Sequence, residues 1–226
     1  MKAGNHSYTS LSDLPESVPL FPLSGALLLP AGNMPLNIFE PRYLAMIEAA
    51  MRSDRMIGMI QPRFDLDPPS DEGEDPQLCD VGCLGRITAF QESGDGRLMV
   101  NLAGVSRFRL MGELPMKDGY RMAKVAGFAE DLTDSPEAAR AVDRDGLLET
   151  FKAFLEANDM QADWEGVSEA SNETLVNTLS MLSPYGPAEK QALLEAPDLK
   201  TRAETLVAMT EISLARDNSE SSATLQ

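Results

Sequence analysis

Apolar residues first gather at Val18. From there to Phe39 they come in short runs cut by proline: VPLFPL, GALLLPAG and MPLNIF, punctuated by Pro19, Pro22, Pro30 and Pro35. Proline has no backbone N–H to give to a sheet, so it suits strand ends and edges. The pattern predicts short, kinked strands of a barrel or pseudobarrel rather than one long sheet. The rhythm changes at Glu40-Pro41-Arg42-Tyr43. Pro41 suits the first position of a helix, where a missing N–H costs nothing. Tyr43, Leu44, Ile47 and Met51 then recur at helical spacing. A strand, a joint and a helix are expected here, with Glu40 near the positive end of the helix dipole.

The segment RMIGMIQPR reads as a further strand, and LCDVGCLGRITAFQE as a long one whose glycines permit bends or bulges. Gly94-Asp95-Gly96 is a hairpin signal. LMVNLAGVSRFRLMG resumes the strand, and GYRMAKVAGFAED alternates partly at period two. Near Asp134 the period lengthens. Ser135 and Pro136 are placed to open a helix, with Leu148, Phe151 and Leu155 at helical intervals. NETLVNTLSMLSP places Leu175, Leu179 and Leu182 on one stripe. PAEKQALLEAP and the Asp198-capped DLKTRAETLVAMTEISLARD complete a helical half. The expected organisation is a flexible tail over 1–16, a β-rich domain over 17–133, a helical bundle over 134–216 and a frayed tail over 217–226.

Composition narrows the function. The chain has 226 residues, 43% of them apolar, and a formal net charge of −17. An apolar fraction of that size supports a buried core. The acidic balance repels nucleic-acid phosphate and anionic lipid over roughly 8 Å in physiological salt. It favours solubility and tolerates basic or unfolded polypeptide partners. No apolar run approaches the roughly 20 residues that span a bilayer, and the start has no apolar signal core. A cytoplasmic protein without a membrane partner is expected. The segment DLDPPSDEGED carries six acids and no base. It does not match a calcium loop and reads as a mobile, solvated loop.

Candidate chemistry is sparse. Cys79 and Cys83, if on one strand, stand roughly 13 Å apart, beyond the ~7 Å limit for a disulfide. The only histidine is His6. A zinc site of about four ligands is therefore not expected, nor is any cofactor. There is no G-x-x-x-x-G-K-[ST] loop, no G-x-S-x-G elbow, and no histidine placed for a triad. Arg42, Arg86, Arg107 and Arg109 each lie in or beside apolar segments. A buried guanidinium needs a carboxylate, and Glu40 is the expected partner. A structural ion pair drawn from Glu40, Arg42, Arg86 and Arg107 is expected, with a carboxylate- or peptide-binding pocket as the alternative. The chain has 13 methionines. Met34, Met56 and Met59, with Phe21 and Leu23, are candidates for an adaptable surface for apolar peptides. The strands around Phe21 and Leu23 are the expected exposed edges.

The run VPLFPLSGALLLPAGNMPLNIFEPRYLAMI resembles the start of the Lon protease N-terminal domain. VGCLGRI and GRLMVNLAGVSRFRL resemble its second and third signatures. The resemblance runs from about Val18 to about Ala129, and SPYGPAEKQALLEAPDL resembles the bundle that follows in stand-alone members. The acidic insertion from Asp65 to Asp75 departs from it, at a place where loop length varies in the family. The resemblance implies an α+β protein: a PUA-like β pseudobarrel with one early helix, followed by a C-terminal α-helical bundle. It also implies recognition of unfolded or tagged polypeptides and a part in assembly. The ATPase and Ser-Lys peptidase modules of full Lon proteases lie downstream of this region, and their residues are absent from this sequence.

The expected function is a non-catalytic polypeptide-binding module, a proteostasis adaptor. Its partners would be unfolded polypeptides or peptides, and a protease or further copies of itself. PUA-like folds also include RNA binders, but that is analogy of fold alone, and no basic stripe with interleaved aromatics accompanies it. A hydrolase using an acid pair is the third alternative.

Overall fold

The computed structural model describes residues 1–64, 76–133, 137, 140–158, 160–161 and 164–223. The chain forms two compact units: Met1–Asp134 with Ser183–Leu194, and Ser135–Leu182 with Glu195–Gln226.

The first unit is a closed barrel. Its strands are β1 (Lys2–Ala3), β2 (His6–Ser7), β3 (Ser17–Pro22), β4 (Asn33–Ile38), β5 (Met56–Ile60), β6 (Val81–Glu92), β7 (Leu98–Lys117) and β8 (Tyr120–Gly127). The main sheet runs β4-β7-β6-β5-β3-β8, and a further β7–β8 pairing closes β7, β6, β5, β3 and β8 into a ring with β4 outside it; β1 and β2 pair in a separate two-stranded sheet. β3 and β5 are parallel, which requires a crossover. Helix α1 (Pro41–Met51) lies in that connection and buries Tyr43, Met46, Ile47 and Ala50. The 20-residue β7 serves two neighbours. Its first half pairs with β4 and β6, and its second half with β6 and β8. Register shifts at Leu84/Gly85 and Ile87/Ala89 bend β6 as its glycines allow.

The barrel core includes Val18, Leu20, Met56, Leu84, Val105 and Phe108. Phe108 needs space from the facing strand. A Cβ on Gly82 would lie 2.5 Å from the Phe108 ring and from the Met59 carbonyl oxygen, so only glycine fits there.

Four expectations change. GALLLPAG is not a strand: Leu27, Leu28 and Leu29 are buried outside the ladder. β3 is not an edge, because β5 and β8 pair with it on its two sides. The outlying strand is β4. Residues 1–16 are tied down rather than loose. β1 pairs with β2, and Ala3 and Tyr8 are buried. The Met1 ammonium donates to the carbonyls of Tyr8 and Leu132 at 3.0 and 3.1 Å.

The fourth change concerns the helical segment Pro187–Glu195, which was expected within the bundle. Ser183–Leu194 belongs to the barrel unit. Gln61 Nε2 donates to Pro187 O and Gln191 Oε1, both at 3.0 Å, and Gln191 Nε2 donates to Val81 O at 3.0 Å. Two buried glutamines thus satisfy one another and fasten the helix to β6.

The second unit contains α2 (Arg144–Ala157), α3 (Trp164–Glu169), α4 (Asn172–Leu182) and, after the barrel-bound α5 (Pro187–Glu195), α6 (Leu199–Ala223). α2 and α4 both pack on α6. Asp143 caps α2, accepting from Gly146 N at 3.1 Å. Ser135 and Pro136 lie outside the described residues, as does the acidic segment 65–75. The face α2 buries is Leu147, Phe154 and Leu155. α4 buries Leu175, Val176 and Leu179 but leaves Leu182 exposed. α6 continues through Ala223, past the expected start of a frayed end. No helix among the described residues is long and apolar enough to cross a membrane.

Candidate functional site

A cavity of about 230 Å³ opens where the end of β3, the start of α1 and the β7–β8 turn meet. The sequence builds each wall locally. Pro22 ends β3, and Leu23, 38% exposed, is pinned by its N–H to Ile60 O at 3.0 Å. Glu40 stands in an extended conformation before Pro41, so the helix starts abruptly and turns Tyr43 inward. The β7–β8 loop is Asp118-Gly119, both with positive φ (49° and 82°), between paired Lys117 and Tyr120. That is the two-residue hairpin turn that Asp-Gly favours. It places Gly119, Tyr120 and Arg121 on the cavity, with Met116 beside them.

The cavity is amphipathic. Pro22, Leu23, Pro62, Pro76 and Met116 supply its apolar lining. Tyr43 packs edge-on against Phe21, ring centroids 4.3 Å apart, and the Arg42 guanidinium lies 4.7 Å from the Tyr43 ring. Burial pushes the Tyr43 phenol up from its ordinary pKa, against the opposing pull of Arg42, so it stays protonated at neutral pH. Arg121 is anchored by Glu113 through Nε and Nη2 at 2.7 and 2.5 Å, and by Pro76 O at 2.6 Å.

The predicted ion pair exists in altered form. Arg42 Nε and Nη2 reach one oxygen of Glu40 at 2.9 and 2.8 Å, but the side chains are 41% and 42% exposed. The pair is half-solvated because it sits at the outer end of α1. Glu40 is not the partner of the other arginines. Arg86 donates to Asp54 O at 2.8 Å and to the Tyr8 hydroxyl at 3.2 Å. Arg109 lies 5.8 Å from the Phe128 ring.

Arg107 forms the buried pair, with Asp131; the side chains are 5% and 9% exposed. Its backbone N, Nε and Nη2 reach the carboxylate at 2.8–3.2 Å. Burial alone would lower the Arg107 pKa. The hydrogen bonds and charge of Asp131 outweigh it and leave the guanidinium above its ordinary value.

Of the peptide-binding candidates, Leu23 lines the cavity and Phe21 backs Tyr43 from a buried position. Met34 lies half-buried on β4. Met56 and Met59 are corrected: both are buried, because every residue of β5 faces packed structure. Cys79 and Cys83 are both buried and not joined by a disulfide. The residues missed were Tyr43 as a cavity wall, Tyr120, Arg121 and Asp131. The Asp118-Gly119 pair in MKDGY was the available signal for the hairpin that presents Tyr120.

Residues 17–211 match the family described as the ATP-dependent protease La (LON) substrate-binding domain. Lon protease 2 of Sorangium cellulosum is 27% identical over 201 residues, covering 86% of this chain and 24% of that protein. Lon protease of Parabacteroides distasonis is 29% identical over 199 residues, covering 85% and 23%. The chain thus spans about a quarter of the length of these curated relatives. The crystal structure of a Lon N-terminal domain protein from Xanthomonas campestris aligns with a TM-score of 0.58 at 24% identity, covering 85% of this chain and 97% of that one. The N-terminal domain of a Mycobacterium avium complex Lon protease aligns at 0.64 with 18% identity, covering 86% and 98%. The α+β fold is therefore that of Lon N-terminal domains, and this chain belongs to the LON substrate-binding domain family.

Proposed function

We propose that this chain is a non-catalytic module that binds unfolded polypeptide, an adaptor or specificity factor in proteostasis. The observation that carries the reading is the substrate-binding family match across residues 17–211. The cavity supports it with an apolar lining and polar groups at one place on the barrel unit. Strand addition at β3 is not the route, since that strand is paired on both sides. The outlying β4, with Met34 half-buried on it, has the exposed edge, although Pro35 limits what can pair there. Weak burial of apolar side chains is the expected mode.

The test is fluorescence anisotropy of a labelled, permanently unfolded protein titrated with this chain without nucleotide, followed by a gel of the mixture. Saturable binding with an intact label is the expected result. Absence of binding across a panel of unfolded proteins would remove the reading, and cleavage of the label would overturn its non-catalytic part.

A further inference from the structure

The cavity holds donors that the protein does not use. Tyr43 and Tyr120 line it and are only 8% and 2% exposed. Neither hydroxyl has a hydrogen-bond partner among the described residues. Among the described residues the wholly enclosed unpaired side-chain oxygen is Ser180 Oγ, which belongs to the other unit. Both phenol oxygens therefore keep an opening, and both residues line the cavity. Arg42 spends Nε and Nη2 on Glu40. Its Nη1 has no partner among the described residues. An unpaired polar group on a buried residue is costly, so two such phenols beside an apolar wall, with the half-solvated Arg42 next to them, mark a place completed by a ligand.

Size and topology restrict that ligand. A volume of about 230 Å³ is smaller than the roughly 300–1,000 Å³ of sites for drug-sized molecules. It has room for one residue, not an extended segment. The adjacent β3 offers no free edge on which a passing chain could add a strand. The unused groups are two phenols and the Nη1 of Arg42, a set that suits a charged acceptor. The geometry points to a site for the carboxyl-terminal residue of a polypeptide, with its carboxylate on Tyr43, Tyr120 and Arg42 and an apolar side chain against Pro22, Leu23 and Met116. This rests on the polypeptide-binding reading and names the part of the substrate that is recognised. Glu40 opposes it, since its carboxylate occupies one edge of Arg42 and repels a second one. Binding is therefore carried by hydrogen bonds in a confined space more than by net charge.

The experiment compares acetylated hexapeptides ending in leucine, methionine or phenylalanine, each as the free acid and as the amide, by isothermal titration calorimetry on the full chain. The acid is expected to bind about tenfold more tightly, the effect of a hydrogen bond to a charged group. Tyr43→Phe and Tyr120→Phe keep the ring volume and should each remove most of that preference, with melting curves confirming the fold. Glu40→Gln should tighten acid binding about two- to fivefold, the size of a solvated ion-pair effect, and leave amide binding unchanged. Equal binding of acid and amide would overturn the inference. So would failure of all the peptides to bind. Unfolded protein that still binds in the anisotropy assay without an acid preference would leave the broader reading standing, whereas loss of both removes both.

Discussion

Arg42 and Arg107 each hold a carboxylate at 2.8 Å, and the surroundings make the two pairs different objects. Arg107 is packed between β7 and the turn that carries Asp131, under the Phe128 ring at 5.0 Å, with Nη1 on Leu194 O at 3.3 Å. Solvent does not screen it. Arg42 stands at the mouth of a cavity, and water reaches both partners. The comparison teaches that bond length alone does not set energetic weight. Burial decides whether breaking a pair strands a charge or merely returns it to water.

The largest effect is expected from Asp131→Ala. Arg107 would remain buried and charged with no carboxylate, a loss of about 3–5 kcal/mol, read as a drop in urea midpoint. Replacing both partners sharpens the point. Arg107→Met with Asp131→Leu removes the stranded charge, and such apolar replacements of buried pairs are often neutral or stabilising. The double variant should recover most of the loss. If it is as unstable as the single variant, the backbone bond from Arg107 N to Asp131 (2.8 Å) matters more than the charge pair.

How far the sequence reveals these sites follows from how local their causes are. The joint at Glu40-Pro41 was legible because proline and helical spacing act within a few residues. Glu40 and Arg42 are two positions apart, so their pairing was visible too. Their solvation was not, because it depends on what the rest of the fold leaves uncovered. Asp131 is 24 positions from Arg107, and nothing in the periodicity brings them together. Met56 and Met59 read as surface candidates because a methionine in a short strand looks alike on either face. Their burial follows from closure of the barrel, which depends on the β7–β8 pairing. The docking of Pro187–Glu195 on the barrel unit was hidden for the same reason, since its anchors, Gln61 and Val81, lie more than a hundred residues away.

Asp198 separates hydrogen bonding from burial. It is exposed, yet it accepts from Thr201 N at 2.8 Å at the start of α6. That backbone bond holds its carboxyl below the usual range. A lowered folded pKa stabilises the protein above the unfolded value of about 3.9, and this contribution fades as pH falls through the folded value. Asp198→Ala should cost about 1 kcal/mol at neutral pH. The gap should close on acidification to below the folded pKa, read by the fluorescence of Trp164 in the same unit. Asp198→Asn keeps an acceptor that does not titrate, so its stability should not change through this group. A gap for Asp198→Ala that persists in strong acid would mean that the side chain acts otherwise than as an ionised cap.

The smallest stability effect is expected at the other end of the comparison. Arg42→Gln and Glu40→Gln each disrupt a pair that water already screens, and each should move the urea midpoint by no more than about 1 kcal/mol in free energy. Their effects on the cavity should nevertheless have opposite signs. Arg42→Gln removes a donor that a ligand carboxylate needs, whereas Glu40→Gln removes that carboxylate's nearest competitor. A double-mutant cycle on stability should therefore give a small coupling, while the same two variants separate widely in their affinity for acid-ended peptides. A coupling as large as that at Arg107–Asp131 would show that this pair holds the strand-to-helix joint together, and the contrast between the two arginines would no longer be one of burial.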